Sequence, residues 1–156
     1  MNIEDFAGRE PELRLTSYFE GRSRAWGAFF DRFGTVRRQF TVDLEGTVEG
    51  DTLTLVEDFV YDDGETERRV WTIRRTGPGI YEGTAAGVVG TATGVARGSA
   101  ANLRYRFDLP VGDGVWRVSF DDWFLLQPDG VLINRARVSK FGLAIGEVYV
   151  TFVKTP

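Results

Sequence analysis

Short glycine-bearing turns punctuate the chain at regular intervals, and apolar and polar residues alternate between them. The turns read Phe33-Gly34, Glu49-Gly50-Asp51, Asp62-Asp63-Gly64, Gly77-Pro78-Gly79, Gly112-Asp113-Gly114, Pro128-Asp129-Gly130 and Phe141-Gly142. The runs between them are rich in Val, Thr, Phe, Tyr and Trp, the signature of strands joined by hairpins. Period-2 alternation is clean at Phe40, Val42, Leu44 and Val48, set against Arg37, Gln39, Thr41, Asp43 and Glu45. It is clean again at Ala101, Leu103, Tyr105, Phe107 and Leu109, set against Asn102, Arg104, Arg106 and Asp108. Such a chain has one dry face and one wet face, as an antiparallel sheet does. No stretch of a dozen residues holds a 3.6-residue period.

The pattern predicts strands over residues 22–32, 36–48, 52–61, 66–75, 80–85, 92–97, 100–109, 115–127, 131–140 and 144–153. Eight to ten strands in succession leave costly edges if the sheet stays open. Closure into an antiparallel up-and-down β-barrel is therefore the expected fold, with a two-sheet β-sandwich as the alternative. The 156 residues suit a single domain. Residues 1–20 lack the alternation; Phe6, Leu13, Tyr18 and Phe19 give them the character of a plug or lid over one end.

Composition removes many functions. The chain has no Cys and no His. Disulfides, thiolate metal sites and Cys nucleophiles are excluded, as is any Ser-His-Asp triad. The commonest general base and transition-metal ligand is absent, so neither a metal nor another cofactor is expected. The net charge of −4 disfavours a nucleic-acid footprint or attraction of the whole chain to an anionic membrane. The first residues, Met1-Asn2-Ile3-Glu4-Asp5, are acidic with no apolar run, and nothing reaches the length of a transmembrane helix. As written, the sequence reads as a soluble cytoplasmic protein; an envelope location would require a signal segment that has been removed.

Alternation also exposes polar residues on the dry face. Glu57 lies in the row Leu53, Leu55, Glu57, Phe59, Tyr61, and Arg69 lies beside Trp71 and Ile73 in the next row. Pairing Phe59 with Arg69 sets Glu57 opposite Trp71 and diagonal to Arg69. An inward Glu needs a partner or a proton, and Arg69 is the expected partner. On that reading Arg69→Ala costs about 3–5 kcal/mol. Asp122 sits likewise in the row Trp116, Val118, Phe120, Asp122, Phe124. Pairing Gln127 with Val131 sets Asp122 opposite Ala136 and diagonal to Asn134. Glu57, Arg69, Trp71, Asp122 and Asn134 are therefore the candidate ligand-binding residues. A buried ion pair that merely fixes register is the competing reading, and Glu57 or Asp122 as an acid or base is a third.

On the wet face the same register predicts Asp121 against Arg137 and a cation–π pair between Trp123 and Arg135. Trp123, Leu125 and Ile133 form an apolar patch, either a dock for residues 1–20 or a homodimer surface. The glycines at 83, 87, 90, 94 and 98 form no P-loop and no dinucleotide fingerprint. They predict a bulged corner. The small row Ala86, Val88, Gly90, Ala92, Gly94, Ala96, if it faces inward, leaves room for a hydrophobic or amphipathic small molecule.

Several of these segments, taken in order, carry a family resemblance. Leu55-Val56-Glu57-Asp58-Phe59-Val60-Tyr61-Asp62-Asp63-Gly64, Arg69-Val70-Trp71, Val89-Gly90, Asp121-Asp122-Trp123, Asn134-Arg135 and Lys140-Phe141-Gly142 together resemble a bacterial family catalogued as domain of unknown function 3833. The resemblance runs from Phe19 onward. It implies no activity. Some members of the family are described as lipoproteins, but this chain has no cysteine to acylate. Gly21 followed by Trp26 is similar, at a different spacing, to the opening strand of lipocalin-like barrels.

Overall fold

The computed structural model describes all residues, 1–156. Ten strands follow one another: β1 (Gly21–Asp31), β2 (Val36–Glu49), β3 (Thr52–Tyr61), β4 (Thr66–Gly77), β5 (Ile80–Thr84), β6 (Val88–Arg97), β7 (Ala100–Val111), β8 (Gly114–Leu126), β9 (Leu132–Lys140) and β10 (Leu143–Lys154). Each pairs antiparallel with its sequence neighbours, and β1 pairs with β10 from Ser23↔Lys154 to Asp31↔Gly146. The sheet is thus a closed up-and-down barrel, not a sandwich. No helix is long and apolar enough to cross a membrane.

Three hairpins share one turn. In the β3–β4 turn, Tyr61 N–H donates to Glu65 C=O at 2.9 Å and Gly64 N–H donates to Tyr61 C=O at 2.9 Å. Gly64 is left-handed at φ 88°, the form a three-residue hairpin loop requires. Asp31–Thr35 and Gln127–Val131 repeat the pattern around Gly34 and Gly130. The β9–β10 turn departs from good turn chemistry: Phe141 is the one non-glycine residue with positive φ, at 52°. An aromatic held there costs about 1–2 kcal/mol relative to a right-handed backbone.

The tight β3–β4 loop corrects the expected register by two residues. Phe59 pairs with Glu67, Glu57 with Arg69, and Leu55 with Trp71. A two-residue slip preserves every inward and outward assignment, which is why alternation alone did not detect it.

The first twenty residues cap one end. A short 3₁₀ turn, Ile3–Phe6, runs along the outside, and a helical turn α1, Leu15–Tyr18, crosses the barrel mouth beside the start of β1. Leu13, Leu15 and Phe19 are buried with Leu53, Tyr81, Leu132 and Phe152 in a single cluster. Tyr18 Oη donates to Gly130 C=O at 2.8 Å, and Lys154 Nζ donates to Glu20 C=O at 2.7 Å. A side chain at Gly46 would run into the Phe19 carbonyl, so this close approach of cap to strand needs glycine.

The cap also settles the Trp123 patch. Phe6 lies 6.1 Å from Trp123, centroid to centroid, and Trp123 is 8% exposed. The patch is therefore not an open surface; the N-terminal segment covers its aromatic centre. As the register predicts, Asp121 and Arg137 are cross-strand partners, and so are Trp123 and Arg135, but their side chains make other contacts. Arg135 instead donates to Glu147 at 2.8 Å, and Asp121 meets Arg104 at 3.3 Å and Asn102 Nδ2 at 2.6 Å.

The small row of β6 does turn inward at Ala92, Gly94 and Ala96, and a bulge between Val89 and Thr93 interrupts its pairing. It does not create the empty space. A Cβ on Gly94 would lie 3.1 Å from Leu103 Cδ1 and 3.3 Å from Tyr81 Cβ. Large side chains from β5 and β7 have occupied the volume that the small residues release.

Candidate functional site

The barrel interior divides by height. At the capped end it is solid. Toward the opposite end it holds a cavity of about 390 Å³, within the range of small-molecule sites. Its wall has 21 residues, 15 of them hydrophobic, contributed by β1–β4 and β7–β10. Phe40, Val42, Phe59, Trp71, Tyr105, Val150 and Phe152 supply much of the apolar surface.

All five residues singled out from the sequence line this one cavity: Glu57, Arg69, Trp71, Asp122 and Asn134. Their partners differ from expectation. Arg69 does not form an ion pair with Glu57. Its Nη2 donates to Glu67 Oε1 at 2.7 Å, and its guanidinium lies over Phe59 at 5.3 Å and Phe107 at 4.9 Å. The register explains this. Glu67, two residues along the same face, can hold Arg69 flat against the rings, and Glu57 feels the cation only through space. Burial pushes the Glu57 carboxyl up to about 7; Arg69 opposes this, Glu67 reinforces it, and hydrogen bonding from Trp71 opposes it.

Asp122 is the more isolated carboxylate. It is 7% exposed, and its Oδ1 has no hydrogen-bond partner. Burial pushes it up to about 8, helped by the charges of Asp121 and Glu57 and opposed by hydrogen bonding from Asn134. Asn134 also donates from Nδ2 to the Trp123 carbonyl at 3.1 Å, which fixes its amide. As the register expected, Asp122 pairs with Ala136, and Asn134 sits at the next inward position, opposite Phe124.

Two wall residues, Tyr105 and Arg38, and Glu67, which holds Arg69 from outside the wall, were not singled out beforehand. Tyr105 stacks on Phe120 at 5.0 Å and meets Trp71 edge-on at 5.2 Å. Its hydroxyl is pushed well above the usual range by burial, then by the charge of Asp122, with Arg69 opposing and Glu57 reinforcing. Its signal was present, as the one hydroxyl in the inward row of β7. Glu67 was hidden by the register error. At the mouth, Arg38 lies over Tyr61 at 3.5 Å and donates to Glu65 at 2.8 Å. No grouping of three or more acidic side chains is placed to hold a metal ion.

Chemically, the site is an apolar pocket whose wall carries two carboxyls of raised proton affinity. A family model described as "Protein of unknown function (DUF3833)" matches residues 1–154. The chain belongs to this family. The match starts at residue 1, so the cap lies within the matched region along with the barrel. Among solved structures, the DUF3833 barrel is similar to an S-type phycobiliprotein lyase from Guillardia theta. The TM-score is 0.67 at 9% identity, covering 100% of this chain and 94% of that one. The shared feature is the fold, a lipocalin-like barrel. No curated protein matches the chain in sequence.

Proposed function

We propose that this barrel binds a small, largely apolar molecule whose polar end is a hydrogen-bond donor or a cation. The observation that carries this reading is Asp122: a buried acceptor atom without a partner, in the wall of an apolar cavity of about 390 Å³. A buried acceptor left unpaired costs about 1–3 kcal/mol. A ligand donor recovers that cost. Glu57 adds a second carboxyl facing the same space, and Arg69 is already engaged by Glu67. Ionised, these two carboxyls favour an amine or other N–H group over a carboxylate head, and a bound cation in turn holds them ionised. The similar fold of a protein named as a phycobiliprotein lyase supports a barrel that handles a small molecule; the chemistry argued here comes from this chain's own residues.

Native mass spectrometry of gently purified protein, followed by mass analysis of an organic extract, tests the proposal. The expected result is an added mass, lost on denaturation, belonging to an apolar compound with a donor group. Titration with a long-chain amine and the matching fatty acid, read by Trp71 fluorescence, tests the head-group preference. The amine should bind more tightly, and Asp122→Asn should narrow the gap. An apo mass together with no response to either probe counts against binding.

A second reading rests on the same carboxyls. With proton affinities near neutrality, Glu57 or Asp122 is suited to carry a proton in a reaction of the bound molecule. Conversion of the extracted compound by wild type, abolished by Glu57→Gln or Asp122→Asn while binding persists, would favour this reading over simple carriage.

A further inference from the structure

The uncapped end of the barrel carries a feature the cavity does not explain. Three consecutive hairpins around that rim, β1–β2, β9–β10 and β7–β8, expose large apolar side chains. Phe33 is 79% exposed, Phe141 91%, Leu143 70% and Trp116 44%. The strand order places these hairpins side by side, so the four residues form one arc on the cavity's mouth. A monomer scatters such residues singly; a contiguous cluster marks a contact surface.

Phe141 strengthens the case. It occupies the left-handed backbone region at φ 52° in a tight turn with Gly142. Asn would satisfy that turn better. A strained position held by an aromatic that buries nothing in its own protein implies a gain outside it.

Charge distinguishes the partner. Arg32 lies over the Phe33 ring at 4.9 Å, and Lys140 lies over Trp116 at 5.2 Å and Phe141 at 4.6 Å. Neither cation has a carboxylate within ion-pair distance: the salt bridges nearby join Arg37 to Asp31, and Arg38 to Asp63 and Glu65. Asp113, in the β7–β8 turn, and Asp31, held by Arg37, are the acidic groups of the arc, and the acidic β3–β4 turn adjoins it beside the β1–β2 hairpin, where Arg38 pairs with it. Aromatic tips interleaved with unpaired cations suit the boundary between headgroups and hydrocarbon, where rings insert and cations stay wet. We infer that the mouth of the barrel docks on a lipid bilayer through Phe33, Trp116, Phe141 and Leu143, with Arg32 and Lys140 at the headgroup level. The whole chain is acidic, so apolar insertion drives the contact and the two cations orient it. This inference does not depend on the cavity being occupied.

Flotation of the full chain with vesicles of phosphatidylcholine and phosphatidylglycerol tests it. Wild type should float, with a blue shift of tryptophan emission that Trp116→Phe removes. Phe141→Asn should weaken partitioning at least about tenfold, since the buried ring supplies much of the free energy. It should leave the melting temperature unchanged or raised, because Asn suits the turn. Phe33→Ser combined with Phe141→Asn should abolish flotation. Wild type that stays in solution would overturn the inference, as would variants that float like wild type. Light scattering that shows an oligomer dissolved by Phe141→Asn would assign the arc to a second copy of the chain instead, and would also overturn it.

Discussion

The same ten strands pass through a capped half and an open half of the barrel, and alternation treats the two halves alike. Their interiors differ in what meets at the axis. At the capped end Leu13, Leu15 and Phe19 descend from the N-terminal segment into the space between Leu53, Tyr81 and Leu132. In the open half no such segment enters. The wall residues there, among them Phe40, Val42 and Val150, face a cavity, and two carboxyls are exposed to it. The comparison teaches that an inward apolar row states which way side chains point and leaves open whether anything fills the space they face. At the capped end, the N-terminal segment adds filling from outside the strand pattern to that of strand residues such as Tyr81 and Leu103.

The largest expected effect tests that contrast directly. Phe19→Ala should destabilise the protein by about 3–5 kcal/mol, the range for truncating a buried aromatic in a packed interior. Phe40→Ala, on the cavity wall, should cost roughly 1–2 kcal/mol, because that ring already faces empty space on one side and loses fewer contacts. Chemical denaturation of the two variants measures both. Equal losses would mean that the two halves are packed alike, and the comparison would fail.

A second prediction concerns pH and belongs to the open half alone. Asp122 has a folded-state proton affinity raised to about 8 and Glu57 one raised to about 7, from ordinary values of 3.8 and 4.5. The folded state therefore binds more protons than the unfolded chain between those limits. The stability these two groups contribute is fully present below about pH 4, is lost as pH rises through the window from about 4 to 8, and is gone above it. Asp122→Asn removes the larger part of that slope. It should stabilise the apo protein at pH 9 by an amount on the order of 3 kcal/mol and change little at pH 4. Thermal melts of both proteins across this range check the sign. An unchanged slope in Asp122→Asn would place the pH dependence elsewhere.

Much of this arrangement was legible in the sequence. An antiparallel sheet of about eight to ten strands, with a barrel as its expected closure, and the inward placement of Glu57, Arg69, Trp71, Asp122 and Asn134 follow from period-2 alternation and turn spacing. The plug-like character of residues 1–20 follows instead from Phe6, Leu13, Tyr18 and Phe19 in a segment without alternation. The misreadings have physical causes. Register between β3 and β4 depends on whether Asp62-Asp63-Gly64 closes a three-residue loop, and a two-residue slip leaves every face assignment unchanged. The location of the cavity depended on whether Tyr81 and Leu103 would fill the space left by Gly94, a question of volume that no single row answers. Trp123 was correctly placed on the outer face; its covering by Phe6 is a contact between segments far apart in the chain, and alternation carries no information about such contacts.

Arg69→Ala gives the smallest expected effect, and it reports directly on whether the open half holds free carboxyls. If Glu57 were its direct partner, Arg69→Ala would leave a buried anion unpaired and cost about 3–5 kcal/mol. The structure pairs Arg69 with Glu67, whose side chain is 42% exposed and can rehydrate. The loss near pH 6 should therefore be about 1–2 kcal/mol, chiefly the stacking on Phe59 and Phe107. Glu57 still feels the cation, so its removal should drive the Glu57 carboxyl further above its ordinary range. That shift adds a destabilisation that grows as pH rises past neutrality, where wild-type Glu57 ionises and the variant's Glu57 must do so without a nearby cation. Adding Glu57→Gln to Arg69→Ala should remove this pH-dependent part and leave the pH 6 loss intact. A full 3–5 kcal/mol at pH 6, rescued by Glu57→Gln, would instead mean that the two residues pair directly in solution. The open half would then be a closed ion pair, and its carboxyls would not be free to meet a ligand.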